Sequence, residues 1–99
     1  MKKQIFILLF VTFFSFSQNT KVRDFKITIL STMLSDTHIG EWGFSAMIEV
    51  DNQRILFDTG SREKTVLQNA EELNISLNNI DNVFLSHNHK DHTGGLIKL

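Results

Sequence analysis

Apolar and polar residues fall in blocks along this chain, and the blocks differ in period. The first is a nearly unbroken apolar run, Ile5 to Phe16, behind Lys2 and Lys3. A basic start, a short apolar stretch and the small-x-small triplet Ser15-Phe16-Ser17 read as a secretion signal, cleaved after Ser17 to leave Gln18 first. As a helix the run would span about 18 Å, short of the roughly 30 Å hydrocarbon core, so no stable membrane span is expected. The mature protein is expected to be exported, either periplasmic or secreted.

Later blocks are shorter and alternate. Phe25-Lys26-Ile27-Thr28-Ile29-Leu30 alternates with β-branched residues and predicts a first strand. Ser35 to Gly43 is polar and reads as a loop. Ser45 to Val50 predicts a second strand, Asp51-Asn52 a hairpin turn, and Arg54 to Phe57 a third strand apolar enough to be buried on both faces. Asp58-Thr59-Gly60 closes it. From Ser61 to Asn74 the period becomes helical, with Val66, Leu67, Ala70 and Leu73 on one stripe. Ser61 is a candidate N-cap, Glu63 lies in the first turn, and Asn74 can end the helix in a left-handed cap. Ile75 to Asn82 is a polar connector pinned by Leu77 and Ile80. Val83-Phe84-Leu85 predicts a short buried strand, and Gly94 to Ile97 the start of another helix. Strands with an interposed helix indicate an α/β (α+β) layered fold.

Composition narrows the function. The formal charge is -1 with no basic block, so nucleic acid is not an expected partner. The chain has no Cys, so a bound metal must be held by nitrogen and oxygen.

Those ligand types are concentrated in His87-Asn88-His89-Lys90-Asp91-His92, immediately after the fourth strand. Imidazole and carboxylate suit divalent ions such as zinc and iron. On extended backbone His87 and His89 point the same way and can reach one ion. Asp91 and His92 follow as the chain turns and can face a second ion. Two adjacent ions can clamp attacking and leaving oxygens and make hydroxide available near neutral pH. Asp91 can instead act as a general base. Asp58 is either a plain turn residue or a carboxylate that orients a ligand imidazole. Trp42 and Phe44 can pack against the strands or form a substrate-facing wall. His38 and Glu41 lie in the polar loop, and neither is assigned to the site. Gly94 and Gly95 suit close helix packing, with an anion site as a weaker alternative.

Leu85 to Leu96 resembles the HxHxDH signature of the metallo-β-lactamase fold superfamily, and Ile55 to Gly60 resembles that family's strand ending in Asp-Thr-Gly. With Gly43 to Glu49 included, the chain looks most like the dihydropterin-type phosphate synthase-like branch. The resemblance implies the N-terminal half of a four-layer αββα sandwich over residues 18–99. It implies His87 and His89 on a first metal, Asp91 and His92 on a second, and Asp58 behind them. Two divalent ions are implied, zinc first, with manganese or iron as alternatives. The implied function is a metal-dependent hydrolase acting on an ester, amide or phosphoester of a small molecule. The alternatives are a pterin-type phosphate synthase-like transferase, an iron-bearing redox protein and an inactive metal-binding fragment. The family completes its site with further His and Asp residues downstream, so the chain is expected to be an N-terminal part of a longer protein.

Overall fold

A computed structural model describes residues 20–99, and the expected signal segment lies outside the described residues. Strand β1 spans Phe25–Ser31, β2 Ser45–Val50 and β3 Gln53–Phe57. Helix α1 spans Thr65–Glu72, β4 Asn82–Phe84 and α2 Lys90–Thr93, before a 3-10 turn at Leu96–Lys98. The sheet order is β1-β2-β3-β4, with the first two pairings antiparallel and the last parallel. This is a small α+β unit built on a mixed sheet. The expected four-layer sandwich is not present among the described residues, which supply one sheet and helical cover on one of its faces.

The hairpin forms where expected. Val50 pairs with Gln53, and Asp51 takes a left-handed φ of 51°. Its carboxylate also accepts from the N–H groups of Arg23 and Asp24, tying the lead-in to the turn. Helix α1 starts later than the sequence predicts. Ser61 is not its N-cap, because the Ser61 and Arg62 N–H groups donate to the Glu41 carboxylate and fix residues 61–64 as turns. Glu63 therefore precedes the helix. The end is as predicted: Asn74 has φ 55°, its N–H donates to Glu71 O, and Ile75 N–H donates to Ala70 O. That paired pattern is the Schellman motif.

The core lies between α1 and one face of the sheet, where Leu30, Met47 and Leu56 meet Val66 and Ala70. Ile75, Leu77 and Ile80 pack against it from the connector. Asn69 is buried in the same interface, and its amide bonds Leu30 O, Ile39 O and Ile39 N, which anchors the loop after β1. Leu73, expected on the buried stripe, is exposed.

The opposite face carries Phe25, Ile27 and Ile29 from β1, Ala46, Ile48 and Val50 from β2, Ile55 and Phe57 from β3, and Phe84 from β4, since paired residues share a face. Ile27 and Phe84 are more than half exposed there. Two expectations are corrected by this. Of β3, only Leu56 is fully buried, and β4 is exposed and forms the edge of the sheet among the described residues, rather than a buried strand. No helix among the described residues is long and apolar enough to cross a membrane.

Candidate metal centre

β3 and β4 run parallel, so their C-terminal ends lie together and the segments leaving them meet. Asp58 leaves β3 with a left-handed φ of 53°, a conformation that Asp tolerates better than most side chains. Its N–H donates to Phe84 O, and Ser45 Oγ donates to its carbonyl. The backbone is thus clamped from both neighbouring strands, and the side chain is 1% exposed.

That buried carboxylate organises the histidines. Asp58 Oδ1 accepts from Ser86 N–H at 2.7 Å. Asp58 Oδ2 accepts from Ser86 Oγ and from His92 Nδ1, each at 2.7 Å. Ser86 Oγ also lies 2.8 Å from His87 Nδ1. The serine has one hydroxyl proton and gives it to the carboxylate, so His87 Nδ1 must be the donor to Ser86 Oγ. His92 Nδ1 must likewise carry its proton to face a carboxylate. In a neutral ring, a proton on Nδ1 leaves the lone pair on Nε2, the atom that a metal would take, and at His92 that atom faces the Asp91 carboxylate at 3.4 Å. Burial pushes the Asp58 pKa up, but the Ser86 backbone and hydroxyl bonds and the His92 contact and charge outweigh it, and the carboxyl sits below its ordinary 3.8.

His87, Asp91 and His92 each present a ligand atom within 4.8 Å of the others. Asp91 Oδ2 is 3.4 Å from His92 Nε2, and the His87 and His92 ring centroids are 4.2 Å apart. This donor set of two imidazoles and one carboxylate fits a divalent ion. His89 is not within that group. Its ring stands edge-on to His87 at 4.5 Å, and its carbonyl accepts from the N–H groups of His92 and Thr93 as α2 begins. The paired reach of His87 and His89 suggested by their spacing is thus present as ring contact, while the three converging donors are His87, Asp91 and His92.

Helix α2 has only four residues, so its position rests on contacts to other segments. Thr59 N–H donates to His92 O at 2.7 Å, and Phe44 N–H donates to Asp91 O at 3.1 Å. Gly94 N–H donates to Gly60 O and Gly95 N–H to Thr59 O. A side chain at Gly94 would overlap the Ser61 carbonyl, so this glycine permits the close approach expected of it. Its N–H and that of Gly95 are committed to carbonyls, which leaves the weaker idea of an anion site there without donors.

Glu41 stands behind this arrangement. It is 5% exposed and accepts from Ser31 Oγ, Ser61 N–H, Arg62 N–H and Thr65 Oγ1. Burial raises its pKa, yet those four donors together hold it below the ordinary 4.5. Ser86 and Glu41 are the residues that sequence reasoning missed here. Ser86 directly precedes the histidine block, and that adjacency was the available signal. His38 is bonded to Thr37 and faces Glu72, apart from the cluster.

A family model described as Anti-Pycsar protein Apyc1 matches residues 18–99. Among curated proteins, the chain is similar to the 7,8-dihydropterin-6-methyl-4-(beta-D-ribofuranosyl)-aminobenzene-5'-phosphate synthase of Methanocaldococcus jannaschii. The two are 42% identical over 83 residues, 77% of this chain and 28% of the relative. It is also similar to the uncharacterized protein MJ0448 of the same organism, 46% identical over 54 residues, 54% of this chain and 21% of that protein. The chain thus spans about a quarter of the length of these relatives. The matches correct the metallo-β-lactamase superfamily assignment, because the model that fits is the Apyc1 one. They give no support to a hydrolase, since the relative whose name carries an activity is a synthase, and neither match names zinc.

Proposed function

The chain belongs to the family described as Anti-Pycsar protein Apyc1, and on that premise we propose that the whole protein is a metal-dependent transferase of the pterin-type phosphate synthase-like class, acting on a phosphate-bearing small molecule. The observation that carries the reading is the coupling of the donor set to its buried orienting groups. Asp58 and Ser86 hold His87 and His92 through their Nδ1 atoms, with ligand atoms of both rings and of Asp91 within 4.8 Å of one another, and the same chain is 42% identical to a synthase over 83 residues.

In this reading His87, Asp91 and His92 hold a divalent ion, with His89 beside them and available to a second. When bound, such an ion supplies positive charge to phosphate oxygens and to an anionic leaving group. The chain's own residues do the rest. Asp58 is the carboxylate acceptor that keeps His92 Nδ1 protonated. Ser86 passes that constraint to His87. Asp91 lines the cleft together with His92, and its carboxylate binds the ion or accepts a proton from the attacking group. The relative's printed name gives a product with a dihydropterin, its 6-methyl carbon and an aminobenzene that carries a ribofuranosyl 5'-phosphate, and in the proposed reaction the bond formed joins that carbon to the aminobenzene. The bond that breaks joins that methyl carbon to a phosphate-ester oxygen on the dihydropterin co-substrate, the phosphate departs with the electron pair, and the aminobenzene gives up a proton to Asp91 or to solvent.

The test supplies the full-length protein with manganese, a ribofuranosyl-aminobenzene 5'-phosphate and a dihydropterin activated at its 6-methyl carbon, and follows the joined product by mass spectrometry. Product is expected, and it is expected to vanish with a chelator and in His92→Ala. No joined product in the metal-supplied protein contradicts the transferase reading.

A further inference from the structure

Beside the metal centre lies a cleft of about 310 Å³, lined by Thr32, Met33, Trp42, Phe44, Asp91 and His92. The volume is at the lower end of the range for small-molecule sites. One wall is Trp42, which is 73% exposed. A large aromatic left in water forgoes burial that a core position would give it. Its neighbour Phe44 behaves differently and packs edge-on against Phe57, with centroids 6.2 Å apart. Sequence alone left both residues open to either role, and the structure separates them.

The backbone on both sides of Trp42 is fixed. Glu41, immediately before it, is held by four donors from β1, the residue 61–62 turn and α1. Gly43, immediately after it, has no room for a side chain, since a Cβ there would lie 2.7 Å from both Asp91 O and Ser61 N. Phe44 N–H then bonds Asp91 O, the carbonyl of a candidate ligand residue. The indole is therefore presented at the rim of the cleft by a segment locked to the metal-binding helix. Such preorganisation suits recognition of a flat group, because little freedom is lost on binding.

We propose that Trp42 is the stacking wall for a planar heteroaromatic ring of the substrate, whose phosphate or leaving group reaches the centre formed by His87, Asp91 and His92. This rests on the ring-bearing, phosphate-bearing substrate of the proposed function, and it names the residue that selects the ring. Trp42 is a specificity residue, not one that handles the reacting atoms.

Two probes isolate the ring from the phosphate. Guanosine 5'-monophosphate offers a planar bicycle that shares the aminopyrimidinone half of a pterin, and ribose 5-phosphate offers the same phosphate without it. Each is titrated by calorimetry into the manganese-supplied full-length protein, its Trp42→Ala variant and its Trp42→Phe variant. The wild type is expected to bind the nucleotide about tenfold or more tightly than the sugar phosphate, as a base stacked on an aromatic side chain would. Trp42→Ala is expected to erase that difference while leaving ribose 5-phosphate affinity and manganese uptake unchanged, and Trp42→Phe to retain most of it. An undiminished nucleotide preference in Trp42→Ala overturns the inference alone, as does a wild type that binds both esters equally. A wild type that binds neither contradicts the proposed function, and the inference falls with it.

Discussion

Two buried carboxylates divide the work at the smallest scale. Asp58 aims imidazoles, and Glu41 holds together the segments on which the site is mounted. Because the folded pKa of Glu41 is depressed, its contribution to stability is complete above its ordinary 4.5 and is lost as pH falls through the lower folded value. Glu41→Gln can accept with only one oxygen and carries no charge. It is expected to cost on the order of 1–3 kcal/mol at pH 7, and the gap from wild type is expected to close as the acid limb is crossed. Urea midpoints measured from pH 7 to pH 3 check this, and a gap that stays constant across that range contradicts it. That Asp58 would be partnered was legible, because a charge ending an apolar strand needs a partner. The role of Glu41 was not, because its side-chain partners Ser31 and Thr65 lie 10 and 24 residues away and only the fold brings them together.

Among elements, those set by local pattern were readable. β1 and β2 follow from alternation, and the turn at Asp51-Asn52 follows from residues that tolerate positive φ. The close of α1 at Asn74 follows in the same way. Elements set by distant partners were not. Ser61 has the chemistry of a helix cap, but its N–H is drawn to Glu41 and the helix begins at Thr65. β4 has the composition of a core strand but occupies the edge, where Val83 and Phe84 stay exposed. The helical start expected from Gly94 to Ile97 is a 3-10 turn at Leu96–Lys98 with Gly95 before it, while α2 at Lys90–Thr93 has no signal in the local pattern and is docked through the same glycines. Gly94→Ala tests that docking. The added methyl meets the backbone carbonyl of Ser61 and not a flexible side-chain tip. The variant is expected to lose about 1–3 kcal/mol in chemical denaturation and to bind manganese more weakly than wild type, since α2 carries Asp91 and His92. Wild-type stability together with wild-type manganese affinity contradicts the docking account.

For the molecule as a whole, the sheet divides two roles between its faces. One face is closed by α1 and forms the core. The other is apolar from β1 to β4 and remains open among the described residues, an area of the kind that soluble proteins cover. The candidate site lies at the C-terminal ends of β3 and β4, the place where α/β sheets commonly bind ligands. Its residue types were legible from sequence, whereas the convergence of His87, Asp91 and His92, with His89 to one side, required the turn of α2. On the proposed reading, Asp58 and Ser86 prepare this cluster for a divalent ion. Equilibrium dialysis of manganese against the full-length protein, His92→Ala and Asp58→Asn tests it most directly. The wild type is expected to take up the ion, His92→Ala to lose it, and Asp58→Asn to bind about 10- to 100-fold more weakly. A wild type that takes up no manganese, or an Asp58→Asn variant that binds it as tightly as the wild type does, contradicts the account.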